Sequence, residues 1–185
     1  MKMKNNRNNN HLKYMVFTAL FAALICVMTA FVHIPTNQGY IHAGDGIIFL
    51  AAAVLPAPYA MLAGAIGAGF SDYLSGYAMW VLPTMIIKAA SAAVFSAHKD
   101  TIINKRNIIA LIPAAMICIG GYYLAGAVLA MLSGTPVGGA FAAALADVPS
   151  NGIQCVCSAA LFLALGKAVE KTGIKKLFRV GLSET

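Results

Sequence analysis

Apolar and polar positions along this chain fall in long blocks rather than short periods. Residues 1–13, MKMKNNRNNNHLK, are basic and asparagine-rich with no apolar period and read as a solvated tail. An apolar run then extends from Tyr14 to Val32, long enough to cross a bilayer, which takes about 20 residues. A charged start before an apolar stretch also describes a signal peptide, but no small-residue cleavage site follows before His33-Ile34-Pro35. Residues 33–46, HIPTNQGYIHAGDG, read as an ordered loop. The apolar segments on either side of Pro56-Ala57-Pro58 predict two helices, about 44–56 and 58–74. Pro58 removes a backbone donor and crowds the preceding turn, which favours a tight hairpin over one long helix. After the loop SDYLSGY (71–77), a fourth helix is expected from about Met79 to Ala97 and a polar connector over 98–107. A fifth helix follows from about Ile108 to Leu132. SGTPVGG (133–139) breaks it, and a sixth runs from about Ala140 or Val148 to Ala168.

Composition turns this pattern into a fold class. Of 185 residues, 60% are hydrophobic and 10% charged, with a mean hydropathy of +0.78. Soluble domains carry about 25% charged residues. The expectation is an all-α integral membrane bundle of six transmembrane helices over residues 14–168, flanked by basic tails at 1–13 and 169–185. The four cysteines lie inside apolar runs and read as small packing residues, with no disulfide framework.

The net charge of +7 then sets an orientation rather than a nucleic-acid surface. Lys2, Lys4, Arg7 and Lys13 precede helix one; Lys99, Lys105 and Arg106 separate helices four and five; Lys167, Lys171, Lys175, Lys176 and Arg179 follow helix six. These are 12 of the 13 basic residues, all on one side of a six-helix topology, and the outer loops 33–46, 71–78 and 133–147 carry none. The positive-inside rule makes that side, with both termini, cytoplasmic. A multi-pass protein of the cell (plasma) membrane is expected.

Candidate chemistry gathers at the opposite side. The outer loops hold Asn37, Gln38, Tyr40, His42 and Asp45, then Asp72, Tyr73 and Tyr77, then Thr135 and Asp147. Trp80, Thr84, Lys88 and Ser91 form one stripe on helix four at i, i+4, i+8 and i+11. Lys88, the single basic residue inside a span, costs about 2.5–3.5 kcal/mol at the bilayer centre, so it should face the bundle interior. It either contacts a ligand or pairs with Asp45, Asp72 or Asp147. Asp147, Asn151, Gln154 and Ser158 form a matching stripe on helix six, and two such stripes suggest a pocket open outward. Small residues mark close helix contacts: Ala19, Ala22 and Ala23 on helix one, and Ala60, Ala63, Gly64, Gly67 and Ala68 on helix three. The sequence holds no GxxxxGK[ST] phosphate loop, HExxH, GxSxG or cysteine–histidine cluster. No catalytic residue, metal or cofactor is expected.

Taken in order, the AxxxA of helix one, the loop ending GYIHAGDGIIFLAAAVL and the Pro-bounded hairpin form one series. An Ala/Gly-rich third helix closing on SDYLSGY and the lysine of PTMIIKAA complete it. The series resembles the substrate-binding S component of energy-coupling factor (ECF) transporters over about residues 12–168. That resemblance implies a six-helix subunit capturing a vitamin or related micronutrient from outside. It implies partners as well: a transmembrane T component, touched through Ala19 and Ala23, and two cytoplasmic ABC ATPases. Substrate contacts are expected from Asn37, Gln38, Tyr40, Asp45, Tyr77, Trp80, Thr84, Lys88, Asn151 and Gln154. The alternative is a stand-alone secondary transporter or channel for a small polar solute.

Overall fold

The computed structural model describes residues 2–35, 40–99, 101–173 and 175, and the backbone alone at 2–9, 35 and 40. In chain order these form α1 (Lys2–Ala30), a hairpin of β1 (His33–Pro35) and β2 (Tyr40–His42), α2 (Gly44–Val54) and α3 (Ala57–Leu74). A 3-10 turn (Ala78–Trp80) then leads into α4 (Val81–Ala93), followed by α5 (Lys105–Leu132), α6 (Val137–Leu145) and α7 (Val148–Thr172). Segments Asn10–Ala30, Lys105–Leu132 and Val137–Thr172 are long and apolar enough to cross a membrane, and Gly44–Val54 and Ala78–Ala93 are shorter apolar helices. The protein is an all-α membrane bundle.

The helices pack in a series, α1 on α3, α3 on α4, α4 on α5, and α5 on both α6 and α7. In the middle stands α2, packed on α1, α3, α4 and α7, with every one of its residues buried. At 1.5 Å per residue it rises only about 16 Å, roughly half of a hydrocarbon core of about 30 Å. Glycines permit the closest helix approaches. A Cβ at Gly67 would stand 2.6 Å from the Ala22 carbonyl oxygen, and one at Gly46 would stand 2.8 Å from Leu161 Cδ2. Only glycine lets α3 meet α1, and α2 meet α7, at these separations. Toward the far end of α2, Phe49 stacks on Phe95 at 4.8 Å and Phe162 meets Phe95 edge-on at 5.5 Å.

Several boundaries differ from the sequence reading, each for a local reason. The α1 backbone is helical back to Lys2, where a solvated tail was expected; propagation from an established helix adds one hydrogen bond per residue fixed. The chain between α1 and α2 is not only a loop but an antiparallel hairpin, with His33 opposite His42 and Ile34 opposite Ile41. Residues 137–145, expected to lie partly in a loop, form the separate helix α6, while Pro149 in the first turn of α7 marks a new start. The fifth helix begins at Lys105 because Asn104 caps it, accepting from the Asn107 N–H at 3.1 Å.

The connector between α4 and α5 is held in place by side chains. Buried Asn107 accepts from Ser96 N–H at 3.0 Å and donates to the carbonyls of Ser96 and Ile102, both at 3.0 Å. Glu170 accepts from Ile103 N–H at 2.8 Å, and Lys175 donates to the Thr101 carbonyl at 2.8 Å. The end of the bundle carrying Lys99, Lys105 and Arg106 is therefore fixed by the backbone hydrogen bonds that these side chains satisfy.

Candidate solute-binding cleft

At the opposite end of the bundle, the C-terminal ends of α1 and α3 meet the N-terminal ends of α2, α4 and α7. The glycines of Gly44-Asp45-Gly46 allow α2 to begin there in crowded surroundings. A Cβ at Gly44 would overlap Thr29 Oγ1 of α1, so the first turn can enter only without one. Asp45 thus stands in the first turn of a buried helix, where the positive end of the macrodipole favours a carboxylate. It is 3% exposed.

Lys88 of α4 reaches the same point and is 2% exposed. Its Nζ donates to Asp45 Oδ2 at 2.8 Å. The same ammonium lies 3.7 Å from Cys118 Sγ and 4.9 Å from the centre of the Tyr122 ring. Two opposite charges taken out of water must pair or each suffers the full desolvation cost. The aromatic face adds a weaker attraction. Lys88 is therefore ion-paired, and of the three candidate partners it is Asp45.

Gln154 of α7 ties this pair to the hairpin. Its Oε1 accepts from His42 N–H at 2.8 Å and its Nε2 approaches the His42 carbonyl at 2.9 Å, as a neighbouring strand would. The same Nε2 stands 3.2 Å from Asp45 Oδ2 and 3.1 Å from Ser158 Oγ. One carboxamide thus serves the hairpin, the ion pair and its own helix. Next to it, Gly44 N–H donates to His42 Nδ1 at 3.1 Å, which requires the neutral ring. Burial pushes the His42 imidazole down to about 4, with Lys88 and His33 acting the same way and Asp45 opposing them.

Above this floor opens a cleft, about 780 Å³ of empty space when the open solvent at its mouth is included. Of the residues expected to contact a substrate, Tyr77, Trp80, Thr84, Lys88, Asn151 and Gln154 lie on its lining. Trp80 and Tyr122 form an aromatic wall, their rings 5.8 Å apart, and Thr84 Oγ1 lies 3.2 Å from the Tyr122 hydroxyl. Asp45 stands behind Lys88 rather than on the lining, reaching the cleft only through its partner. Asn37 and Gln38 lie outside the described residues; Tyr40 is described only as the β2 backbone opposite Pro35. Tyr73 is 64% exposed and lies away from the lining. Ala19 and Ala23 are exposed along α1, whereas Ala22 between them is buried against α3.

The lining also includes residues outside the expected set: Thr29, His42 and Ala68, together with Asp72, Tyr122, Asp147 and Ser150. His42, Asp72 and Asp147 were visible as polar residues of the outer loops. Thr29 had a subtler signal, because Tyr14, Thr18, Ala22, Ile25 and Thr29 repeat along the buried face of α1 at helical spacing. Tyr122 sits in an apolar run whose sequence does not say which face turns inward.

Comparison with known proteins agrees with this architecture. The family described as ECF-type riboflavin transporter, S component, matches residues 9–171. The chain is also similar to a protein of Pyrococcus woesei described as an uncharacterized protein in gap 3'region. The two are 28% identical over 102 residues, covering 55% of this chain and 68% of that one.

Proposed function

The chain belongs to the family of ECF-type riboflavin transporter S components, and on that premise we propose that it captures a vitamin or related micronutrient from outside the cell and delivers it inward with ATPase partners. The observation that carries this reading is the cleft itself. Its aromatic wall, Trp80 and Tyr122, and its buried polar floor, Lys88, Gln154 and Thr84, suit a planar solute with polar edges. It opens at the bundle end whose loops carry no lysine or arginine, which the positive-inside rule makes the outer end. Both termini, the basic tails 1–13 and 169–185, and the braced α4–α5 connector then lie in the cytoplasm, and residues 14–168 form a multi-pass domain of the plasma membrane.

In this account Tyr77, Trp80, Thr84, Lys88, Asn151 and Gln154 contact the solute, Asp45 holds Lys88, and Asn37, Gln38 and Tyr40 are further candidate contacts from the sequence between α1 and α2. Ala19 and Ala23 offer a small-residue face to a T component, and two ABC ATPases supply the energy, since the chain has no phosphate loop of its own. The test is transport in proteoliposomes. The chain reconstituted with a T component and two ATPases should accumulate a radiolabelled vitamin with ATP inside the partner-facing compartment, and the chain alone should not. Equal ion-driven uptake by the chain alone would overturn the proposal in favour of a secondary transporter.

A further inference from the structure

At the bundle end opposite the cleft, cations outnumber their counter-charges. Residues 99–106 and 167–171 hold five of them, Lys99, Lys105, Arg106, Lys167 and Lys171, against two carboxylates, Asp100 and Glu170. The fold brings these two stretches together. A Cβ at Gly166 would overlap Ile103, Glu170 accepts from Ile103 N–H at 2.8 Å, and α5 packs on α7. All five cations are exposed, and none makes an ion pair among the described residues; Asp100 lies outside them. The positive-inside rule accounts for the side on which these charges lie, not for what balances them.

A second observation says what lies beside them. On α5, Ile109, Ile112 and Met116 follow Lys105 at helical spacing, and all are exposed. On α7, exposed Val156, Ala160 and Ala164 lead to Lys167 and Lys171 in the same way. From Met116 to Lys105, and from Val156 to Lys167, is about 16 Å of helix at about 1.5 Å per residue. One leaflet is as deep, about 15 Å of a hydrocarbon core of about 30 Å. The charged groups therefore stand at the level of the lipid phosphates, each set at the end of a stripe one acyl chain long. An acidic protein surface would match the charges and leave the stripes unused. A phospholipid matches both.

We propose that this end of α5 and α7 binds an anionic glycerophospholipid, its phosphodiester held by Lys105, Arg106, Lys167 and Lys171 and its acyl chains laid on the two apolar stripes. The Arg106 guanidinium can grip a phosphate with two parallel N–H donors, while the lysines act as point charges. A zwitterionic lipid brings the same phosphate together with an ammonium of its own, which these cations repel. Each basic residue near an anionic lipid surface strengthens binding roughly fivefold. The proposal rests on the membrane bundle alone and is independent of the solute in the cleft.

The experiment titrates the full chain, purified and delipidated in a nonionic detergent, with phosphatidylglycerol and with phosphatidylcholine of identical acyl chains. Native mass spectrometry counts the lipids bound. The first phosphatidylglycerol should bind at least about tenfold more tightly than the first phosphatidylcholine. Lys105→Gln with Arg106→Gln, or Lys167→Gln with Lys171→Gln, should cut that ratio about fivefold or more; Lys99 stays in both to keep the orientation. Lys2→Gln with Lys4→Gln removes as much charge from the N-terminal tail and should leave the ratio within about twofold. Glycerol phosphate at the same concentration should not displace the lipid, because it has no acyl chains. Equal binding of the two lipids, or an equal loss in all three double variants, would overturn the proposal. Displacement by glycerol phosphate would overturn it in favour of a plain anion site. Variants at 105/106 or 167/171 that keep the lipid ratio but lose association with a T component and ATPases would overturn it in favour of a protein interface.

Discussion

Replacing Lys88 alone should do more harm than replacing Lys88 and Asp45 together. Lys88→Met keeps the stem volume but leaves Asp45 as a buried carboxylate whose remaining donor is Gln154 Nε2 at 3.2 Å. Asp45→Asn leaves a buried ammonium with an amide oxygen, Cys118 and the Tyr122 ring beside it but no counter-charge among the described residues. Removing one partner of a buried pair costs about 3–5 kcal/mol. In a chain of this size each kcal/mol moves the unfolding temperature by about 2–4 °C, so each single variant should lose about 6–20 °C. The double variant has no stranded charge, and its asparagine still offers an oxygen to Gln154. It should recover at least half of the loss, a coupling of about 2 kcal/mol or more. Thermal unfolding of the four proteins in detergent measures this cycle. Losses that simply add in the double variant would refute the pairing argument, and single losses below about 1 kcal/mol would show water reaching the pair. Because Lys88 also lines the cleft, a double variant that folds but no longer binds solute would assign it to contact as well as to pairing.

Three further outcomes follow from the same geometry. Gln154→Leu leaves His42 N–H and C=O without their partner, at about 1–3 kcal/mol for each buried group; hydrogen exchange at residues 40–44 should quicken markedly, and unchanged exchange would mean the hairpin is held otherwise. His42 sits below its ordinary 6.5 at about 4 in the folded state, so the unfolded chain binds the extra proton first. Its contribution is complete above about pH 6.5 and is lost as pH falls toward 4, by up to about 3 kcal/mol; unfolding temperatures across that window should fall more steeply for the wild type than for His42→Gln, and parallel curves would contradict this. Gly67→Val puts a branched side chain where even a Cβ would lie 2.6 Å from the Ala22 carbonyl; it should destabilise by about 1–3 kcal/mol or more, read as a lower unfolding temperature, and a neutral result would show that α1 can move aside.

Much of this architecture is legible in the sequence because lipid imposes blocks of apolar residues that position alone reveals. The Lys88 stripe on α4 and the Gln154 stripe on α7 were readable for the same reason: a polar residue in an apolar helix has few places to point. The sequence could not choose among Asp45, Asp72 and Asp147 as partner for Lys88, since that depends on how deeply α2 sits. The answer lies in its short length and its glycine entry at Gly44. Tyr122 and Ser150 were missed because an aromatic in an apolar run, or a serine at a helix start, has no distinctive spacing. The α6–α7 break was seen only as two alternative starts, since Ala-rich residues before Pro149 suit a loop or a helix equally. That the tail is helical from Lys2 onward was not legible, because its asparagines are weak helix formers, a local preference that continuity with α1 overrides.

The central claim, that this bundle captures a vitamin-like solute in the cleft beside Trp80, is tested most directly by that residue, the only tryptophan of the chain. Its fluorescence should be quenched saturably, at one solute per chain, by the molecule that mass spectrometry identifies in extracts of the purified protein, and Lys88→Met should weaken that binding. A protein that co-purifies with no small molecule and whose Trp80 emission responds to no vitamin would contradict the account.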